Sequence, residues 1–242
     1  MDLSEIDVNA LEFGAAFTQN NGQKIVPLSM VAGRFDFDSR LRIQFGADED
    51  SMLVSEYGLS TPMPGTDPMR RNLEITVSPE MEAKLRALDE KIATTAAERC
   101  NDFFKTATLN KQHMPVLRKS SSGSSVVRVK VVLGNVDNAT KVRALQEDNV
   151  STVVVSAEAM GKNTLMIAVA DTPGIWSSAT QFGISFTARG LIVRLPAPKG
   201  GLGMFNLKRK LVDVTPAASL DDPSPEVPPE DAVAPAVEGH DA

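Results

Sequence analysis

Short runs of alternating apolar and polar residues recur along this chain between Gly-, Pro- and Asp-rich breaks, and one segment interrupts them with helical spacing. The runs are too short and too closely spaced to alternate with helices, so they are expected to pair as an antiparallel meander. Residues 23–30, 34–45 and 52–57 are the first of them. Within the second, Phe35, Phe37, Leu41, Ile43 and Phe45 keep a two-residue period, which sends them to one face and predicts that this face is buried. Residues 61–69 carry three prolines and read as a loop, after which Asn72 to Val77 gives a strand with Leu73, Ile75 and Val77 on one side.

Helix signals follow at once. Ser78 offers an N-cap oxygen, Pro79 suits the first helical position, and Glu80 and Glu82 sit where the helix dipole favours negative charge. Met81, Leu85, Leu88, Ile92, Ala96 and Phe103 then recur at helical spacing, leaving Glu82, Lys84, Asp89, Glu90 and Lys91 for the wet side. The spacing predicts one long helix over 79–105.

Residues 106–125 read as a long basic loop, ending in the serine-rich run Ser120 to Ser125, a flexible stretch able to close over a ligand. Val126 to Leu133 is a strand in which Val127, Val129, Val131 and Leu133 point one way and Arg128 and Lys130 the other. Residues 138–148 read as weakly helical. Four more strands, 150–156, 165–170, 181–189 and 191–195, are divided by Gly161-Lys162-Asn163, by Pro173-Gly174 and by Gly190. In the third, Phe182, Ile184 and Phe186 belong to the core, and Ser185, Thr187 and Arg189 to the polar face.

Charge is strongly segregated. The last 32 residues hold eight acids and no Lys or Arg, so 23 of the 31 acids face all 25 bases in residues 1–210. A body near +2 is thus followed by a Pro-rich tail of −8 that cannot bury enough surface to fold. Between Phe104 and Arg143, Lys105, Lys111, Arg118, Lys119, Arg128, Lys130, Lys141 and Arg143 stand against the single acid Asp137. That concentration suits several phosphates, and an acidic tail can compete with a polyanion for the same surface. An ordinary solvated face is the plain alternative for such a run.

Other classes are poorly served. Cys100 is the only Cys, which excludes an internal disulfide, and it reads as a small buried apolar residue; His113 and His240 alone make no zinc site. No apolar run of membrane-spanning length occurs and Met1 to Glu5 is acidic, so a soluble, intracellular protein with no membrane partner is expected. Asp171-Thr172-Pro173-Gly174 has the form of a magnesium-contacting element of guanine-nucleotide hydrolases, yet Gly161-Lys162 continues with Asn163 and lacks the earlier glycine of a phosphate loop, so the tetrapeptide reads as a turn. Gly200-Gly201-Leu202-Gly203 reads as a linker and Lys208-Arg209-Lys210 as a basic triplet before the tail. No nucleophile and base stand out, and neither catalysis nor a cofactor is expected. Trp176 is either a core plug or a stacking surface for bases.

Several stretches carry a family likeness: Leu88-Asp89-Glu90-Lys91-Ile92, Phe103-Phe104-Lys105, Pro115-Val116-Leu117-Arg118, Val129-Lys130-Val131 and, above all, Gly174-Ile175-Trp176 followed by the run from Phe182-Gly183-Ile184-Ser185-Phe186 to Val193. Over residues 25–195 the chain resembles the single-stranded-DNA-binding proteins of large nucleocytoplasmic DNA viruses, the African swine fever virus type included, with relatives in algae and protists. It departs from them at Met114, where an aromatic is expected, and in having one Tyr. The resemblance implies an α+β fold: an antiparallel β-barrel of oligonucleotide-binding (OB) type elaborated with one long helix. It also implies sequence-independent binding of single-stranded DNA in replication or repair, with Lys105, Arg118, Lys130, Trp176 and Arg189 as strand contacts.

The charge map alone adds Lys111, Lys119 and Arg128. The expected organisation is an N-terminal arm over 1–22, the barrel over 23–196, and a linker with a disordered acidic tail over 197–242. The expected partners are single-stranded DNA and, through the tail, replication proteins; RNA binding and homo-oligomerisation stay open. The nucleus or a viral replication site is the expected location. The rival reading is a non-catalytic virion or scaffold protein whose basic loop meets an acidic partner.

Overall fold

Alternation does yield strands, but shorter ones than the runs that announce them. The computed structural model describes residues 6–195 apart from 21, 63, 66, 135–137 and 147–149. The readings of Met1 to Glu5, Asp137, the Gly200 to Gly203 linker, Lys208 to Lys210 and the acidic tail lie outside the described residues. The chain begins with β1 (Glu12–Phe13), β2 (Phe17–Thr18), β3 (Lys24–Val26), β4 (Leu28–Ser29), β5 (Arg42–Phe45), β6 (Leu53–Ser55) and β7 (Arg70–Thr76). Helices α1 (Pro79–Glu98) and α2 (Cys100–Phe104) come next, then β8 (Gln112–Met114), β9 (Leu117–Lys119) and β10 (Ser125–Val132). The last third supplies β11 (Lys141–Leu145), β12 (Thr152–Val154), β13 (Thr164–Asp171), β14 (Ile175–Ser177), β15 (Gln181–Gly183) and β16 (Phe186–Arg194).

β16 is the hub of a nine-stranded sheet. One edge pairs antiparallel with β13; the other runs parallel to β10 at Phe186 and Thr187 and parallel to β11 from Gly190 to Val193. β10 carries β7 along one edge and β9 beside β16 on the other, while β13 receives β5 and β6 on its far edge. The sheet then curls back on itself. Thr76 Oγ1 of β7 donates to Val54 O of β6 and accepts from Val54 N, and Ser60 N donates to Asn72 O at 2.8 Å. The outcome is mostly β, a curled half-barrel with one long helix, an OB-like α+β arrangement. The expected purely antiparallel pairing is corrected at β16, because the chain between β10 and β16 is long enough for a crossover. A five-stranded sheet, β2-β3-β14-β15-β8, joins two strands of the insertion between β13 and β16 to two from the N-terminal region and one from the segment after α2. Among the described residues no helix is long and apolar enough to cross a membrane.

Four local readings change. The run 34–45 is a strand only from Arg42: Leu41, Ile43 and Phe45 are buried, but Phe35 and Phe37 sit in a turn and are 37% and 48% exposed. The Asp36 side chain causes this, accepting from Arg34 and from Ser39 N at 2.9 Å and offering the backbone a turn in place of a ladder. Lys141–Leu145, within the stretch read as weakly helical, is strand β11, since pairing with β16 and burial of Val142 and Ala144 outweigh local propensity. Gly190 lies inside β16 and separates nothing. The loop read over 106–125 contains β8 and β9, and its serine run is a hydrogen-bonded turn in which Ser120 N donates to Ser124 O and Gly123 N to Ser120 O.

The helix starts as its sequence dictates, Ser78 Oγ accepting from Met81 N. It buries Leu85, Leu88, Ile92 and Ala96, each large apolar side chain contributing about 1.5–3 kcal/mol. The helical run breaks at Arg99, and Lys105 closes α2 with a left-handed φ of 59°. Residues 6–18, read as an arm, are built into the fold: Ile6 and Leu11 are buried, and Phe13 stacks on Phe103 at 6.0 Å between centroids.

Candidate nucleic-acid interface

Because β7 and β10 pair in register, their outward residues form two facing rows: Glu74, Asn72 and Arg70 opposite Arg128, Lys130 and Val132. The inward rows, Leu73 and Ile75 with Val127, Val129 and Val131, are wholly buried, which holds the cations outside. Arg128 meets Glu74 at 2.6 Å. Lys130 donates to Ser185 Oγ at 3.3 Å; burial, and secondarily Arg70, pull its ammonium below the usual lysine range. Arg118 arrives from β9, paired opposite Val126, and burial followed by the neighbouring Arg128 pulls its pKa down. It makes no ion pair among the described residues.

The opposite rim comes from the β13–β16 insertion. Gly174, at φ 140°, presses against Val26: a Cβ there would stand 2.0 Å from Val26 O, so only glycine lets β14 dock on β3. This docking sets Trp176, partly exposed, between Ile25 and Gly183 in the ladder. Arg118, Arg128, Lys130, Asn72, Trp176 and Ser185 line one groove of about 210 Å³, floored by Met114, Pro115 and Ile184. A larger concavity of about 1170 Å³ lies past the other end of β10, between Met69, Lys141 and Val154; no aromatic ring lines it, and it borders residues outside the described set.

One residue that positions this rim is invisible to periodicity. Asp89, assigned above to the wet side, is 8% exposed, and both its oxygens accept from Val116 N at 3.0 Å. It thereby ties α1 to the Met114–Val116 segment of the groove. Burial raises its pKa, against the backbone hydrogen bond from Val116. His113, with Nε2 3.6 Å away, is shifted down by burial more than Asp89 raises it.

The other expected contacts disperse. Lys119 turns towards α1 and donates to Ser125 Oγ at 2.7 Å. Lys111 donates to Ser178 O and Ala179 O and lies over the Phe104 ring, and Lys105 ends α2. None of these three lines the groove. Arg189 lies elsewhere on the wall, with Nε 2.7 Å from the buried Asp171 and its guanidinium over Phe37. Phe37, Arg40 and Arg42, which cluster with it, carried no signal in the sequence because the alternation of residues 34–45 assigned both phenyl rings to the core.

No family model matches the chain, and no curated protein matches it significantly, so the likeness to the large-DNA-virus family finds no family match. Among solved structures, the chain is similar to the single-stranded DNA-binding protein from bacteriophage Enc34, at 11% identity over 81% of this chain and 99% of that one, with a TM-score of 0.38. The same protein in complex with ssDNA gives 10% identity over 78% and 99%, with a TM-score of 0.39. For gp2.5, a single-stranded DNA-binding protein encoded by bacteriophage T7, the figures are 12%, 74%, 100% and 0.43. Likenesses this distant establish no activity for this chain.

Proposed function

We propose that this protein binds single-stranded DNA without sequence preference along the outer wall of β7 and β10. The observation that carries the reading is the convergence of Arg118, Arg128 and Lys130 with the Trp176 indole on one groove. Cations on a rigid strand hold phosphates, and a flat ring stacks a base for about 1–3 kcal/mol, a sequence-tolerant contribution because every base has a π-face. Exchanging Glu74 for a phosphate keeps Arg128 paired, and a phosphate beside Lys130 favours the charged form that burial disfavours. OB barrels take oligonucleotides on one strand face and the loops flanking it, which supports a strand-wall placement by analogy.

Replication or repair is the role such binding serves, in the nucleus or at a viral replication site, and the acidic residues 211–242 compete with DNA or recruit replication proteins. The test is a titration of labelled oligo-dT, duplex DNA and oligo-U at two salt concentrations. Salt-sensitive binding with oligo-dT preferred over duplex supports the reading; salt-insensitive binding, or none, rejects it. Oligo-U decides whether RNA is also bound, and deleting residues 211–242 should tighten oligo-dT binding in low salt if the tail competes.

A further inference from the structure

Phe37 is a large apolar side chain left 48% exposed on a loop, and three guanidinium groups surround it. The Arg40, Arg189 and Arg42 carbons stand 4.9, 5.1 and 6.0 Å from its ring centroid. Arg189 is paired with Asp171, but Arg40 and Arg42 are in no ion pair among the described residues. With Arg189 paired to Asp171, Arg40 and Arg42 remain two like charges beside one ring, and they repel one another unless an anion joins them. The loop is nonetheless pinned. Asp36 accepts from Arg34 and Ser39, Ser29 Oγ donates to Ser39 O at 2.9 Å, and Thr172 N donates to Leu41 O. The hydrogen bond from Arg34, then those from Ser39, hold the Asp36 carboxyl at a pKa of about 2.

The cluster is also in line with the groove. Lys130 on β10 is opposite Thr187 on β16, Thr187 opposite Asp171 on β13, and Asp171 opposite Arg42 on β5. Residues opposite one another across a sheet share a face, so Lys130 and Arg42 lie on the same side, three strand spacings or about 14 Å apart. A single strand crossing the sheet from the groove meets this cluster next, within the roughly 4–16 nucleotides that one OB fold covers.

We propose that Phe37, Arg40 and Arg42 form a second contact for single-stranded DNA, Phe37 stacking a base and the two arginines holding the flanking phosphates. This rests on the function proposed above and extends its footprint from β10 across β16 and β13 to β5. Arg189 is a positioning residue here: anchored by Asp171, it holds its guanidinium against the ring.

The test uses the full chain and the fact that Trp176 is the only Trp. Quenching of Trp176 by oligo-dT reports the groove in the wild type. Phe37→Ala should weaken binding of a 16-mer about tenfold while leaving a dinucleotide, too short to reach from the groove to Phe37, unchanged, in keeping with one stacked base. Arg40→Ala/Arg42→Ala should flatten the salt slope for the 16-mer by about 1.4, the share of two phosphate contacts on a single strand. Phe37→Leu, which keeps apolar bulk and loses the ring face, serves if Phe37→Ala does not fold. Phe37→Trp in a Trp176→Phe background should be quenched by the 16-mer.

If the wild type binds the 16-mer and these variants match it in affinity and slope, the second contact is rejected and the groove stands. If the wild type shows no binding, both readings fall. Quenching at position 37 by a peptide of residues 211–242 but not by oligo-dT overturns the proposal in favour of an acidic peptide.

Discussion

On the groove wall Arg128 is tied to Glu74 and Lys130 is partly desolvated, whereas around Phe37 neither Arg40 nor Arg42 has an acidic partner among the described residues. The first set stands on paired strands, its geometry dictated by the ladder. The second stands on a loop whose shape is maintained by Asp36 and Ser39. The contrast sets two ways of holding cations at a surface side by side: a ladder on which Arg128 is already paired with Glu74, and a pinned loop beside which Arg40 and Arg42 have no ion pair among the described residues. The ladder fixes where Arg128 and Lys130 stand, whereas no acid among the described residues neutralises Arg40 or Arg42.

The strongest test of this contrast reverses the wall. Arg128→Glu/Lys130→Glu should weaken oligo-dT binding by at least about 100-fold and flatten the salt slope by more than about 1.4, the share of two lost phosphate contacts, since both contacts also become repulsive. Comparable affinity in this variant would leave the loop cluster as the principal site. Trp176→Ala should weaken binding by about 1–3 kcal/mol with the slope unchanged, because stacking releases no counterions. A changed slope would instead mean that the rim had moved the cations.

Mild acidification from about pH 7.5 to pH 6 should touch the wall's support and not the Phe37 loop, whose Asp36 stays ionised there. His113 has its folded pKa below its ordinary 6.5, so near pH 7.5 it is neutral in both states and contributes nothing. As pH falls through 6.5 the unfolded chain takes the proton first, and stability drops with a slope of at most about 1.4 kcal/mol per pH unit. Asp89, raised by burial, acts in the opposite sense, so denaturant melts between about pH 7.5 and pH 6 are compared for the wild type and a His113 variant to isolate the histidine. His113→Phe should lose the slope there, and an unchanged slope would place its origin elsewhere.

The smallest expected effect is on Glu74→Gln, which removes the carboxylate competing for Arg128. Oligo-dT should bind about two- to fivefold more tightly, the scale of a partly exposed ion pair. Weaker binding would mean that Glu74 orients the guanidinium for DNA.

Much of the fold was legible where one period dominated. Leu73 with Ile75, and Val127 with Val129 and Val131, announced β7 and β10, and Ser78-Pro79 with the spacing from Leu85 to Ala96 announced the helix. Of the candidate site, Arg118, Arg128, Lys130 and Trp176 were named from the sequence and share one groove, while Lys105, Lys111, Lys119 and Arg189 point elsewhere. Charge counts alone cannot separate these sets, because a lysine bonded to Ser178 O and one facing solvent look alike in a sequence.

What the chain by itself determined is its strand alternation, its helix start and the concentration of cations between Phe104 and Arg143, since each depends on neighbours within a few residues. Only the tertiary structure decided that β16 runs parallel to β10 and β11, that Asp89 is buried under Val116, and that Phe37 faces outward among three arginines. Those outcomes depend on partners between 27 and more than 50 residues away, and on a turn whose hydrogen bonds outcompeted the strand its pattern suggested.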